Sequence, residues 1–226
     1  MAGPAPLELL PSPILQPLGD AALLIRFATT LTDQANRAAI ACAQAFARDP
    51  VPGVLEVVPS LVSVLLRYDP RHAALNLLMG EVRLRLFGLS VDDMASSTVR
   101  SIPATFGGAG GPDLDEVAQM LNLTPQAFVA AHNATTLRVL ATGFAPGFVY
   151  CGFHPPELLL PRRSAVRQSV PRGSILFAAG QTAIAATEIP TGWHVIGHTD
   201  FTNFDAGAVP PTTLVPGDRL IFEALA

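Results

Sequence analysis

Apolar and polar positions alternate in two different rhythms along this chain, and the change of rhythm divides it. In the first part, ALLIRF (22–27) is a short apolar run bounded by Gly19-Asp20, which predicts a strand. Thr32 or Asp33 then precedes Ala35, Ala38, Ala39, Cys42, Ala43 and Phe46, a helical spacing with a cap in front of it and Pro50 and Pro52 behind it. GVLEVVP and VSVLLRY predict two successive strands, Asp69-Pro70 a turn, and HAALNLLMGEVRLRLFGL an amphipathic helix. Strand, helix, two strands and helix suggest a small α+β unit of ferredoxin-like type whose last strand is supplied from elsewhere. Residues 88–100 are polar and aperiodic, which places a domain boundary there and divides the chain into 1–92 and 93–226.

Beyond the boundary SIPATF reads as a strand broken by GGAGG. Asp113 with Glu116 has capping-box spacing ahead of Leu114, Val117, Ala118 and Leu121, and Thr124-Pro125 starts a second short helix. From Leu137 onward the rhythm shortens. LRVLAT, SILFAA, TAIAAT, WHVIGHT and RLIFEAL are short β-like segments between glycines and prolines, a pattern that fits a barrel or a sandwich.

Composition narrows the chemistry. Half of the 226 residues are hydrophobic and only 14% are charged, well under the usual quarter. A large core with partner-covered surface accounts for this, and so does a bias toward Ala, Gly, Pro and Arg. All 14 basic residues are arginine. A Schiff base, a lysine base, a Walker lysine and a biotinylated lysine are thereby excluded, so no cofactor is expected on this chain and any ATP or biotin is handled by another polypeptide. A net charge of −4 without basic clustering argues against nucleic acid. The N-terminus lacks a signal-peptide pattern, and the most apolar run, VLEVVPSLVSVLL, is too short and too interrupted for a membrane span. Cys42 and Cys151 read as buried thiols, and a cytoplasmic location is the expectation.

Among possible sites, GGAGG lacks P-loop spacing and reads as a turn. His194 and His198, four apart in a strand, are expected on one face, without the further ligands a structural metal needs; no metal is expected. The pair Cys151 and His154 reads as accidental. PRRSAVRQSVPRG gathers Arg162, Arg163, Arg167 and Arg172, guanidinium forks suited to a carboxylate or phosphate. GFAPGFVYCGF (143–153) reads as a stiff bend: its glycines allow close backbone approach, Pro146 limits its freedom, and Phe144, Phe148, Tyr150 and Phe153 exclude water.

The ordered series IPATFGGAGGPDLDEVA, AHN, GFAPGFVYCGF, PRRSAVRQSVPRGSI, AGQTAIA, GWHVIGHT and LVPGDRLIF, with LGDAALLIRF and GVLEVVPSLVSVLLRYDP before it, resembles the family of 5-oxoprolinase B subunits across nearly the whole chain. That family is also described as allophanate hydrolase subunit 1 and includes a kinase-autophosphorylation inhibitor. The resemblance implies a small α/β domain followed by a cyclophilin-like β-barrel. It implies a cleft shared with a sister barrel, the C subunit, and, with a third protein, the A subunit, an ATP-dependent complex that opens 5-oxoproline to glutamate. Its alternatives are a carboxyltransferase component acting on urea or another ureido compound, and a non-enzymatic inhibitor of a histidine kinase. On this footing Gln181, Arg167 and His198 are the candidate catalytic residues. Phe144, Pro146, Gly147, Phe148, Tyr150, Arg162, Arg163, Thr182 and Trp193 are the candidate substrate contacts, with Gln181 and Thr182 meeting an amide, the arginines a carboxylate or phosphorylated intermediate, and Trp193 covering it. The chain departs from the family pattern at Ala183-Ile184-Ala185-Ala186, at Pro190-Thr191-Gly192-Trp193 and at His198, where the family carries arginine.

Overall fold

The computed structural model describes residues 11–89 and 99–225. The chain separates into two compact units, Met1–Ser96 and Ser97–Ala226; the boundary expected between 92 and 93 lies outside the described residues.

The first unit is a four-stranded antiparallel sheet with two helices: β1 (Ile14–Leu18), β2 (Ala22–Arg26), α1 (Asp33–Arg48), β3 (Val54–Pro59), β4 (Ser63–Tyr68) and α2 (Leu75–Phe87). The strand order is β1-β2-β4-β3. β1 is absent from the sequence reading, because ILQPL carries a proline and no clear alternation; it pairs with β2 and takes the sheet edge left without a strand in that reading. Thr32 caps α1, its hydroxyl accepting the Ala35 N–H at 3.2 Å. Ala35, Ala38, Ala39, Cys42 and Phe46 bury the face that the periodicity marked, against Leu23, Ile25, Val64 and Leu66 of the sheet. α2 is shorter than expected and is not cleanly amphipathic. Leu78 and Val82 are buried, whereas Leu77, Leu84 and Phe87 are exposed on the other side.

The second unit holds β5 (Val99–Phe106), α3 (Leu114–Met120), α4 (Pro125–Asn133), β6 (Leu137–Thr142), β7 (Val149–Gly152), β8 (Arg167–Val170), β9 (Ser174–Ala178), β10 (Gln181–Ile184), β11 (Ile189–Thr191), β12 (His194–His198) and β13 (Arg219–Ala224). Seven of these strands close into a barrel in the order β10-β7-β6-β13-β5-β12-β9, and β8 and β11 pair separately. The choice between barrel and sandwich is thus settled as a barrel. Its interior is filled by Ile102, Leu137, Val139, Cys151, Ile175, Phe177, Ile196, Leu220 and Phe222, with Val117, Ala118 and Phe128 of the helices packed onto them. β9 is buried on both faces, because Leu176 and Ala178 lie under an outer layer of Phe148, Val170, Ile189 and Trp193.

Two local expectations fail. Asp113 stands at the N-cap of α3 but makes no side-chain cap bond, since its carboxylate is engaged elsewhere. The segment 143–153 is not all loop, because Val149–Gly152 forms β7.

Candidate functional site

The outer face of the barrel is built by strand alternation. β7 pairs with β10 in the register Tyr150 to Ala183, and β10 with β9 in the register Ala183 to Leu176; Val195 of β12 stands opposite Leu176. Side chains on a strand alternate in direction. Val149, Cys151 and Ile184 therefore enter the core, and Tyr150, Ala183, Leu176 and Val195 line the outside. Tyr150 is partly buried, packed against the cluster that includes Ala183. A run of aromatic contacts follows this face: Phe144 to Phe148 at 5.5 Å, Phe148 to Tyr150 at 4.8 Å and Tyr150 to Trp193 at 6.0 Å between ring centroids. The Arg162 guanidinium lies over Trp193, 5.7 Å from its centroid, a cation–π arrangement. Burial raises the Tyr150 pKa, and Arg162 partly opposes that.

The bend that carries Phe144 and Pro146 is held from below. Gly147 has φ +69°, and a Cβ there would stand 2.5 Å from Phe204 Cβ and 3.0 Å from Ala186 Cβ, so only glycine fits. Asn203 Nδ2 donates to the Gly147 carbonyl at 2.9 Å, while its own Oδ1 accepts the Leu214 N–H at 2.7 Å. Phe148 is buried, whereas Phe144 (φ +76°) and Pro146 stand exposed.

Gln181 belongs to the same outer face, two residues before Ala183 on β10. Opposite it is Gly152, where a Cβ would stand 2.8 Å from Leu140 Cδ1 and in ordinary contact, 3.6 Å, with Gln181 Cγ, so it is the Leu140 side chain that the glycine accommodates. The Gln181 side chain is nearly enclosed, at 9% exposure, and its Oε1 has no hydrogen-bond partner. A buried carbonyl oxygen left unpaired costs free energy that an incoming N–H donor would recover.

Thr182, the next residue, points the other way, into the barrel. Its Oγ1 lies 2.8 Å from His132 Nε2 and 2.8 Å from His154 Nε2. The two imidazoles stack at 4.7 Å, and His132 Nδ1 lies 2.7 Å from Asn133 Oδ1. Phe106, Phe128, Phe177 and Phe222 surround His132. Burial drives the His132 pKa down to about 4, against a rise from the Asn133 contact; burial and then His132 itself push His154 well below the usual imidazole range. Both rings are neutral at pH 7. Thr182 and Gln181 therefore do not reach one ligand from the same side, as the sequence reading expected. His154, which the sequence reading weighed only as a neighbour of Cys151, and His132, without an assigned role there, come from distant stretches that no spacing rule connects.

The arginines split. Arg163 Nη1 donates to Asp113 Oδ1 at 2.9 Å, Arg167 Nη2 donates to the same oxygen, and Asp113 Oδ2 accepts the Val195 N–H at 2.8 Å. Arg163 also reaches Glu116 at 3.3 Å. Arg172 donates to Thr202 Oγ1 at 2.5 Å. Only Arg162 of the group lies on the aromatic strip. The two histidines of β12 part as well. A register shift between Val195 and Gly197 sets His194 opposite Phe177 and His198 opposite Ser174, positions of opposite parity on β9. His194 Nε2 lies 3.2 Å from the Pro161 carbonyl, and His198 Nε2 lies 3.5 Å from Asp200 Oδ1. The structure thus gathers Phe144, Pro146, Gly147, Phe148, Tyr150, Trp193, Arg162 and Gln181 on the bend and one outer face. It places Thr182 inside the barrel, Arg163 and Arg167 on Asp113, and His198 beside Asp200.

The profile of the family described as "Carboxyltransferase domain, subdomain C and D" matches residues 13–214. The chain is 33% identical over 222 residues to the B subunit of 5-oxoprolinase from Bacillus subtilis, covering 94% of this chain and 92% of that one. The solved structure of TTHA0988 superposes with a TM-score of 0.78 at 36% identity over 91% of this chain, and the chain spans 40% of that protein's length. The K. lactis urea amidolyase shares the fold, with a TM-score of 0.76 at 16% identity over 98% of this chain and 15% of its own.

Proposed function

The chain belongs to the carboxyltransferase subdomain C and D family, among the relatives of the 5-oxoprolinase B subunit, and from that premise we propose that it is the B subunit of an ATP-dependent complex that opens 5-oxoproline to glutamate. The reading takes the first unit as ferredoxin-like and the barrel as cyclophilin-like, with the aromatic outer face as this chain's half of a cleft shared with the C subunit. ATP is used by the A subunit, in keeping with a chain that has no lysine.

One observation carries the reading to residues. The unpartnered Gln181 Oε1 shares a face with Tyr150 and Trp193, on which Arg162 lies. A cyclic amide with a carboxylate presents the complementary groups. Gln181 accepts the lactam N–H, Arg162 takes the carboxylate, and Trp193, Tyr150 and the phenylalanines exclude water, which strengthens both bonds. Asp113 occupies Arg163 and Arg167, so this reading gives neither a substrate role, and it moves the catalytic assignment away from Arg167 and His198.

The test is reconstitution. Mixed with its candidate A and C subunits in the cytosolic pH range, this protein is expected to support ATP hydrolysis dependent on 5-oxoproline, and Gln181→Leu to abolish it. Hydrolysis equal with and without this chain counts against the reading. The family description favours one further reading, carboxyl transfer to urea or a similar ureido compound. Turnover with a biotin carboxylase partner and urea, but not with 5-oxoproline, selects it.

A further inference from the structure

The buried trio inside the barrel has no part in the site described above, and its geometry fixes more than its distances state. A hydroxyl has one proton to give and lone pairs to accept with. Thr182 Oγ1 stands between two Nε2 atoms of neutral rings, so it donates to one and accepts from the other. Asn133 decides which. With its carbonyl oxygen 2.7 Å from His132 Nδ1, that nitrogen carries the proton, and His132 Nε2 is the bare acceptor of the Thr182 hydroxyl. His154 Nε2–H then donates to Thr182, and His154 Nδ1 is left as a lone pair. That nitrogen is buried without a partner. The opposite direction would bury an unpaired N–H there, the costlier defect, and would set two lone pairs against each other at Asn133. The chain runs one way: His154 to Thr182 to His132 to Asn133.

A polar trio among four phenylalanine rings stabilises less than an apolar filling of the same volume would; what it supplies is a fixed direction and position. Thr182 is joined to Gln181 by one peptide bond, and His154 is tied to the same turn by its backbone, its N–H donating to the Gly180 carbonyl at 3.0 Å. We propose that Thr182, clamped between His132 and His154 in opposite tautomers, is the positioning residue that fixes the start of β10 and so aims the Gln181 amide at the outer face. It touches no ligand. The proposal rests on the reading that Gln181 meets the substrate.

Long-range proton–nitrogen correlation of the histidine rings in the isolated full chain tests the clamp without a ligand. His132 is expected with protonated Nδ1 and bare Nε2, and His154 with the reverse. The same tautomer in both rings, or a fast mixture, overturns the clamp and leaves the function reading untouched. The Gln181 side-chain amide resonances test the positioning. Thr182→Ser keeps the hydroxyl and is expected to preserve one sharp pair, whereas Thr182→Val, of equal size, shifts or multiplies it. Unchanged Gln181 resonances in Thr182→Val overturn the positioning role. In the chain assembled with its C subunit, with 5-oxoproline as probe and calorimetry as readout, Thr182→Val is expected to weaken binding about tenfold or more and Thr182→Ser to restore it. Equal affinity in wild type and Thr182→Val refutes the proposal. A wild type blind to 5-oxoproline, with the tautomers as stated and Gln181 displaced in Thr182→Val, refutes the substrate instead.

Discussion

Removal of the Asp113 carboxylate is the sharpest test of what holds the arginine segment to the barrel. One oxygen takes Arg163 and Arg167, and the other takes the Val195 N–H. In Asp113→Ala the Val195 amide is left buried and unpaired, which costs about 1–3 kcal/mol. The guanidinium groups lose their counter-charge too. A fully buried pair broken on one side costs about 3–5 kcal/mol, but the Arg163 and Arg167 side chains keep 21% and 34% of their exposure, so water recovers part of that. The balance comes to about 3–4 kcal/mol for Asp113→Ala. Asp113→Asn keeps an oxygen for Val195 and loses the charge, and is expected to cost about half as much. Urea unfolding at neutral pH reads this through Trp193, the one tryptophan of the chain, which belongs to the barrel unit. With a slope of about 2 kcal/mol per molar urea, Asp113→Ala lowers the midpoint by roughly 1.5–2 M. A midpoint within 0.5 M of wild type, roughly 1 kcal/mol at that slope, refutes the reasoning, and so does an asparagine variant less stable than the alanine one.

Two further outcomes follow from the same structure. Gly147→Ala combines a left-handed backbone with a Cβ 2.5 Å from Phe204 Cβ and is expected to cost about 2–4 kcal/mol; Gly143→Ala, at φ +127° with open space around it, costs about 1 kcal/mol in the same urea assay, and equal costs would remove the steric argument. His132 is neutral in the fold, with its pKa lowered from 6.5 to about 4. The unfolded chain therefore gains a proton near pH 6.5 that the folded chain refuses until about pH 4, so its contribution is complete above 6.5 and lost as pH falls, by roughly 3 kcal/mol across that window. A stability flat between pH 6.5 and 5, where most carboxylates stay ionised, would show His132 to be solvated.

What the sequence discloses is set by the range of each interaction. α1 is readable because its buried face, its Thr32 cap and its terminating prolines all lie within one stretch. The opposite faces of Gln181 and Thr182 also follow from the two-residue period of a strand, and assigning both to one ligand overlooks it. The role of Asp113 is not readable. Its spacing to Glu116 fits a capping box, but its true partners stand some fifty residues away on β8 and its approach loop. The pairing of His132 with His154 across Thr182 depends on barrel closure in the same way. β1 hides for a local reason: Pro17 and the absence of alternation conceal an edge strand from any periodic reading.

The barrel is sealed by its earliest and latest strands. β5 and β13 lie parallel over six matched positions, from Arg219 beside Val99 to Ala224 beside Ala104. That seam joins residues about 120 apart in the chain, so it forms only after the loop between them has been drawn in, a slow entropic step. Until β13 is seated, the sheet keeps open strand edges, the kind of surface that aggregates. Deleting Arg219–Ala224 alone would discard one staple out of seven and, with it, the ring.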